Sequence, residues 1–256
     1  MKQELAPIIS NNEVMPGVYL IWLDCPKIAS TAQPGQFIMV RCGEQYLLRR
    51  PLSIHQVADT KLALLFAVVG KGTRWLSQCQ TGNRLDLLGP LGNNYSIHPT
   101  SHNLLLVAGG IGIAPLYFLA QKAINQGRSV TLLLGAPTAT QLYPKHLLPG
   151  EFELIITTED GTAGKEGMIT DLLPDFIGWT DQIFTCGPAS MYRAMVAQRQ
   201  ELLKEKPVQI SLEVRMGCGR GICYGCTVRT KRGLKQVCQD GPIFDLDAIL
   251  WDELNY

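Results

Sequence analysis

Four cysteines gathered late in the chain constrain it more than any other feature. The run Cys218-Gly-Arg-Gly-Ile-Cys223-Tyr-Gly-Cys226 is followed by Cys238. Its spacing, C-x4-C-x2-C with a fourth cysteine downstream, is the plant-type arrangement for a [2Fe-2S] cluster. A loop that wraps a cluster needs positive φ angles and close backbone approach, and Gly217, Gly219, Gly221 and Gly225 permit both. Amide N–H groups can then point at the sulfurs and tune the reduction potential. Spacing alone leaves two alternatives open. A structural zinc site uses the same thiolates, although such sites normally show two short cysteine knuckles rather than three ligands in one loop. A chance gathering of buried cysteines is the second.

Composition excludes several classes. The chain has 256 residues, 46% of them apolar, and a net charge of +1. That suits one or two compact domains with a short appendage. It points to no nucleic-acid partner and no membrane partner. Leu104 to Ala120 lacks charged side chains, but it is short for a membrane span and is broken by Gly109, Gly110, Gly112 and Pro115. A buried strand, a glycine turn and a helix start account for it better. Met1 to Glu13 lacks the basic and apolar segments of a secretory signal, so a cytoplasmic location is expected. In that setting, of the eight cysteines, the four bunched near the end favour metal ligation over a disulfide framework. Cys25, Cys42 and Cys79 are expected to be small core residues.

Short strand-like runs at Val18–Leu23, Phe37–Cys42, Leu62–Val69 and Arg84–Leu88, split by Pro, Gly and Asn, predict a small antiparallel barrel. From about residue 101 the rhythm changes. Leu104–Ala108, Ser129–Gly135, Phe152–Thr158, Gln182–Thr185 and Val208–Glu213 are strand-like, while Pro115–Gln126 and Ala189–Lys204 are helical in composition. This alternation predicts a parallel sheet with helices on its faces. The expected organisation is α/β plus β, with a barrel domain over 1–99, an α/β nucleotide-binding domain over 100–212 and a cysteine segment over 213–256.

Three further motifs carry chemistry. Arg49-Arg50-Pro51-Leu52-Ser53 ends a strand-like run, and Leu65-Phe66-Ala67 leads to Gly70-Lys71-Gly72-Thr73. Arg50 suits a pyrophosphate in fork geometry. The amides of Gly72 and Thr73, opening a short helix, suit a phosphate, and Ser53 suits a hydrogen bond to a flavin ring. Plain turns account for these residues equally well, and the loop is not a Walker A motif. Gly109-Gly110-Ile111-Gly112-Ile113-Ala114-Pro115 follows a buried strand and opens a helix, with Pro115 at the third glycine position of the dinucleotide fingerprint. Proline loses nothing in a first helical turn. A later strand ends in Cys186-Gly187-Pro188, again before a helix. Ligands bind open α/β sheets at such strand ends, though glycine turns also occur without ligands.

In order and spacing, Arg-Pro-Leu-Ser (50–53), Gly-Lys-Gly-Thr (70–73), Gly-Pro-Leu-Gly (89–92), Gly-Gly-Ile-Gly-Ile-Ala-Pro (109–115) and Cys-Gly-Pro (186–188) resemble the ferredoxin–NADP reductase superfamily over residues 5–210. The tail, Ser211-Leu-Glu-Val-Arg-Met-Gly-Cys218 through Cys226 with Val237-Cys238-Gln-Asp-Gly-Pro-Ile-Phe244, resembles the electron-transfer subunits of B-type dihydroorotate dehydrogenases. That resemblance implies FAD held by Arg50, Pro51, Leu52 and Ser53, by Leu65, Phe66 and Ala67, and by Gly72 and Thr73 at its pyrophosphate. It implies NAD at Gly109, Gly110, Gly112 and Pro115 and at Cys186, Gly187 and Pro188. It implies a [2Fe-2S] cluster on Cys218, Cys223, Cys226 and Cys238. Leu52 departs from the tyrosine that many reductases of the superfamily stack on the flavin. Small subunits of NADH-dependent ferredoxin reductases and sulfide dehydrogenases are similar too, but their first cluster ligand is often Asp where this chain has Cys218.

The implied function is electron transfer between NAD(H), FAD and the cluster, to and from the FMN of a separate catalytic subunit. That subunit would interconvert dihydroorotate and orotate, in a heterotetramer of two copies of each chain. No residue here reads as a proton-transfer base for that substrate. The competing readings are an NADH-dependent ferredoxin or sulfide-dehydrogenase-type reductase subunit, a self-contained flavin reductase, and a zinc-bearing regulatory module. Ala136 to Leu142 carries no basic residue to hold a 2′-phosphate, which predicts NAD(H) over NADP(H). Ile222, Tyr224, Ile243 and Phe244, rimmed by Arg220 and Arg229, form a docking patch if they face outward.

Overall fold

The structure is a computed structural model that describes residues 1–150, 152–203 and 206–254. Six antiparallel strands close a barrel: β1 (Lys2–Met15), β2 (Val18–Asp24), β3 (Phe37–Val40), β4 (Arg50–Ala58), β5 (Lys61–Ala67) and β6 (Arg84–Leu91), in the order β1-β2-β5-β4-β3-β6. Helix α1 (Pro26–Ala29) follows β2, and α2 (Lys71–Ser77) links β5 to β6. Strand alternation sends Ile21 and Leu23, Ile38 and Val40, Leu62 and Leu64, and Leu85 and Leu87 inward, where all are buried. Two of the strands are hard to see locally. β1 mixes polar residues with Pro7 and the Asn11-Asn12 pair, and β4 starts on the Arg-Pro pair. Pairing on both sides holds each of them.

The second half is built on a parallel sheet. Its strands are β7 (Asn103–Gly109), β8 (Ser129–Ala136), β9 (Glu153–Thr158), β10 (Lys165–Glu166), β11 (Gln182–Cys186) and β12 (Val208–Ser211). Leu104 to Ala108 in β7 are wholly buried, as a central strand covered on both faces requires. The covering helices are α3 (Ile113–Asn125), α4 (Leu173–Phe176) and α5 (Ala189–Ala197). The helix predicted to run to Lys204 ends at Ala197 and continues as a π turn over Arg199–Leu203; Lys204 lies outside the described residues.

The tail forms a small ribbon, β13 (Thr227–Thr230) with β14 (Gly233–Gln236), then α6 (Val237–Asp240) and β15 (Ile243–Asp245). β15 joins the large sheet antiparallel to β12, with Ser211 opposite Ile243 and Ile210 opposite Phe244. The sheet order is therefore β10-β9-β8-β7-β11-β12-β15. The tail is wedged rather than appended. One apolar cluster runs from Ile183, Val208 and Ile210 of the sheet through Val237, Ile249 and Trp251 of the tail to Phe37, Met39 and Leu91 of the barrel. On the barrel side, the amide and side chain of Asn93 donate to the carbonyls of Gly241 and Asp240, each at 2.6 Å. Among the described residues no helix is long and apolar enough to cross a membrane.

Candidate functional site

A cleft of about 1040 Å³ opens where barrel, sheet and tail meet. Small-molecule sites run from about 300 to 1,000 Å³, so this one has room for a dinucleotide. The barrel supplies one wall: Arg50, Pro51, Leu52 and Ser53 from the start of β4, Leu65, Phe66 and Ala67 from the end of β5, and Thr73 from α2. Gly72 sits behind Arg50, and a Cβ there would come within 2.7 Å of the Arg50 Nε. The Arg50 guanidinium donates to the Leu48 carbonyl at 2.5 Å, which steadies it at the cleft. Its neighbour Arg49 is bound instead to Asp86, also at 2.5 Å. Helix α2 starts at Lys71, so Gly72 and Thr73 lie in its first turn. The Thr73 hydroxyl is occupied there, accepting from the amides of Val69 and Gly70 at 3.0 and 3.2 Å.

The first glycine turn forms a second wall, through Ile111 and Ala114. The turn over Gly109, Gly110 and Gly112 packs directly on Cys186-Gly187-Pro188. A Cβ on Gly112 would collide with the Cys186 carbonyl oxygen, and one on Gly109 would come within 2.8 Å of Pro188 Cδ. Gly112 is held by this close approach and not by its dihedral, since its φ is −58°. Pro115 is buried in the first turn of α3. The Tyr192 hydroxyl accepts from the Gly187 amide at 3.1 Å and donates to the Ser211 carbonyl at 2.7 Å, tying this junction to the end of β12.

The third wall is the tail: Ser211 to Met216 as the chain leaves β12, then Gly225, Cys226 and Thr227. In the sequence Ser211–Met216 stands out only as part of the tail resemblance, with no site role of its own. The usable signal is its place just past a strand at the sheet's C-terminal edge. Glu213 is exposed on the open cleft, and the protein crowding the cleft around it raises its carboxyl above the usual range. Its Oε1 lies 4.0 Å from the Cys186 Sγ. Cys186 is fully buried, and burial, then the charge of Glu213, pushes its thiol well above the ordinary value.

The cysteine loop closes against that wall. The amides of Arg220 and Ile222 point at Cys218 Sγ at 3.3 and 3.4 Å, and the Gly221 amide points at Cys238 Sγ at 3.1 Å. The Cys238 amide points at Cys226 Sγ at 3.4 Å. Gly221 achieves its aim with a φ of +73°, a conformation open to glycine. Burial alone would push the Cys218 thiol up, but the amides of Arg220, Cys223 and Ile222 outweigh it and bring it down to about 6. Among the described residues no three His, Cys, Asp or Glu side chains converge as the ligands of a single ion would. Amides aimed at the sulfurs of Cys218, Cys226 and Cys238 suit an iron–sulfur cluster, whose charge such donors tune. Of the remaining cysteines in the barrel, Cys25 and Cys42 are buried and Cys79 is half-buried, and burial raises their thiols to about 12, 11 and 11.

Around the loop, Ile222 and Tyr224 are 67% and 69% exposed, and Leu234 adds a third apolar side chain at 68%. Ile243 is buried and Phe244 half-buried, because β15 carries both into the sheet. Arg220 is exposed, while Arg229 pairs with Glu253 at 3.0 Å.

Two family models match. Residues 213–250 match the iron–sulfur cluster binding domain of dihydroorotate dehydrogenase B, and residues 106–197 match the oxidoreductase NAD-binding domain. The dihydroorotate dehydrogenase B (NAD(+)) electron transfer subunit of Desulforamulus reducens is 39% identical over 258 residues, covering 96% of this chain and 98% of that protein. Its counterpart in Caldanaerobacter subterraneus subsp. tengcongensis is 36% identical over 252 residues, with the same two coverages. Among solved structures, an NADH-dependent reduced ferredoxin-NADP oxidoreductase studied for flavin-based electron bifurcation superposes with a TM-score of 0.88 at 32% identity, covering 98% of this chain and 91% of that one. The ferredoxin reductase of carbazole 1,9a-dioxygenase shares the fold, with a TM-score of 0.67 at 20% identity over 77% of this chain and 64% of that one. Near full-length identity on both sides, with the cysteine loop inside the matched region, places the chain in the family of dihydroorotate dehydrogenase B (NAD(+)) electron transfer subunits.

Proposed function

We propose that this chain works beside an FMN-containing dihydroorotate dehydrogenase subunit, carrying electrons between that FMN and NAD(H). The chain itself is an oxidoreductase component whose cofactors are FAD and a [2Fe-2S] cluster, with NAD as its nucleotide substrate. The observation that carries the reading is the shared cleft. Arg50–Ser53 and Leu65–Ala67 of the barrel, Ile111 and Ala114 beside the glycine turn, and Gly225–Thr227 of the cysteine loop all line it.

Arg50 would pair with the pyrophosphate of FAD, with the first turn of α2 at Gly72 and Thr73 beside it. Pro51, Leu52, Ser53, Leu65, Phe66 and Ala67 would bed the rest of the molecule. Gly109, Gly110, Gly112 and Pro115, with Cys186, Gly187 and Pro188, would bring NAD to the same cleft. Cys218, Cys223, Cys226 and Cys238 would ligate the cluster, and Cys226 already lines the cleft. The chemistry these groups supply is hydride exchange and one-electron transfer, while the protein positions them and tunes their potentials. Dihydroorotate chemistry belongs to the partner, so this chain needs no catalytic residue for it. The assembly would be a heterotetramer of two of each chain, in the cytoplasm, docked through Ile222, Tyr224 and Leu234.

The test pairs two measurements. Tyr224→Asp should weaken co-elution with the catalytic subunit and slow dihydroorotate-dependent NAD+ reduction, yet leave NADH reduction of the bound FAD nearly intact. Unchanged assembly across substitutions of the whole patch would place the docking face elsewhere. The 32% identical, nearly full-length NADH-dependent ferredoxin-NADP oxidoreductase supports a second reading as a ferredoxin-linked subunit. Assaying dihydroorotate and ferredoxin as alternative electron sources with the co-purified partner separates the two.

A further inference from the structure

His55 is wholly buried on β4, two residues beyond Ser53 of the cleft wall. Its Nδ1 lies 3.0 Å from the Ala114 carbonyl oxygen and its Nε2 lies 3.0 Å from the Tyr143 hydroxyl. A carbonyl can only accept, so Nδ1 carries the ring proton. Nε2 is then bare and accepts from Tyr143. The ring also packs on two aromatic neighbours, at 4.7 Å from Tyr117 and 5.4 Å from Tyr143 between centroids. Burial pushes the imidazole down to about 4, so it is neutral near pH 7.

Its two bonds tie β4 to two separate segments of the second half. β4 carries the flavin wall. Ala114 lies in the first turn of α3, just past the nucleotide turn, and itself lines the cleft. Tyr143 follows the turn over Ala139–Gln141 beyond β8, on the nucleotide side. An apolar side chain would fill this interface without the cost of desolvating two polar nitrogens. What imidazole adds is direction: two bonds at opposite ring edges fix both partners relative to β4.

We propose that His55 is a positioning residue that sets the nucleotide turn in register with the flavin strand, donating to the Ala114 carbonyl and accepting from Tyr143. The proposal rests on the flavin and nucleotide assignments of the cleft. His55→Phe keeps a ring but deletes both bonds. His55→Asn restores a donor near the Nδ1 position. Tyr143→Phe removes one bond with the least disturbance.

The experiment uses the FAD- and cluster-loaded protein. It follows flavin reduction by NADH in a stopped-flow instrument, NAD+ affinity by calorimetry, and hydrogen exchange across Gly109–Tyr117. Small misplacements of reacting groups are costly, so His55→Phe should slow flavin reduction about tenfold with NAD+ affinity changed less than about threefold. Exchange across Gly109–Tyr117 should quicken, and His55→Asn should bring the rate back to within about threefold of the parent. An unchanged rate in His55→Phe, or a loss that His55→Asn leaves uncorrected, overturns the proposal and makes His55 a packing residue. If His55→Phe does not fold, Tyr143→Phe decides: a fall of about threefold supports the proposal and no change overturns it. A parent protein whose flavin NADH fails to reduce defeats the underlying assignment instead, a result distinct from either.

Discussion

The two glycine-rich turns beside the cleft use the same residue for opposite reasons. In the nucleotide half, Gly112 has an ordinary helical φ of −58°, and what it lacks is room: the Cys186 carbonyl occupies the place of a side chain. In the cysteine loop, Gly221 has a φ of +73°, and its nearest obstacles are the ends of the flexible Gln239 and Gln236 side chains. The first glycine joins two backbones. The second aims an amide at a sulfur. On the proposed assignment of the two turns, nucleotide binding is vulnerable to bulk and cluster tuning to dihedral angle.

The severest way to break the comparison is to remove a ligand. Cys223→Ser puts a hard oxygen where a thiolate belongs, so iron and labile sulfide should fall to near background while FAD stays bound. Retained iron and sulfide would remove Cys223 from the ligand set. Gly112→Ala should act on the other half only. Overpacking against backbone should cost up to about 3 kcal/mol. NAD+ affinity should fall with it, and the cluster's visible spectrum should stay as in the parent. An altered cluster spectrum would show that the two turns are not separable.

A pH measurement sharpens the picture at the interface between barrel and sheet. His55 titrates near 6.5 when unfolded and is pushed down to about 4 in the fold by burial. Between those values the unfolded chain binds more protons, so stability is full above 6.5 and falls as the pH drops. The loss by pH 5 should reach about 2 kcal/mol, and the stability profile of His55→Asn should lack it. Parallel denaturation curves for the two proteins at each pH would contradict this. The smallest effect belongs to Gly221→Ala. A positive φ costs a residue with a Cβ about 1–2 kcal/mol, part of which the loop can relieve by moving. Loss of the amide bond to Cys238 should lower the reduction potential, because that bond favours the more negative reduced cluster. A redox titration followed by electron paramagnetic resonance reads it; an unchanged potential would deny the amide its role.

Local chemistry made much of this legible in advance. The cysteine spacing, the Arg-Pro-Leu-Ser corner and both glycine turns are short motifs whose residues must sit together wherever the chain takes them; the corner, Ile111 and Ala114 of the first turn and Cys226 of the loop line one cleft, while the second turn packs on the first. What stayed hidden depends on distant pairing. β1 became a strand because β2 and β6 flank it, despite Pro7 and two asparagines. Glu213 entered the cleft because β12 ends there. His55 gained its meaning from Ala114 and Tyr143, brought to it by helix and sheet packing. No window of neighbouring residues holds that information.

The antiparallel pairing of β15 with β12 also orders events during synthesis. The cysteine loop lies between these strands in the chain. A growing polypeptide therefore exposes the unpaired rim of β12 until the whole loop has been made, and an open rim invites pairing with another chain. The closing strand spans only Ile243–Asp245, so the rim it leaves is too short to be a good template for a neighbour. Loop and lid arrive together: the same stretch of chain that collects the thiols also seals the sheet against its own kind.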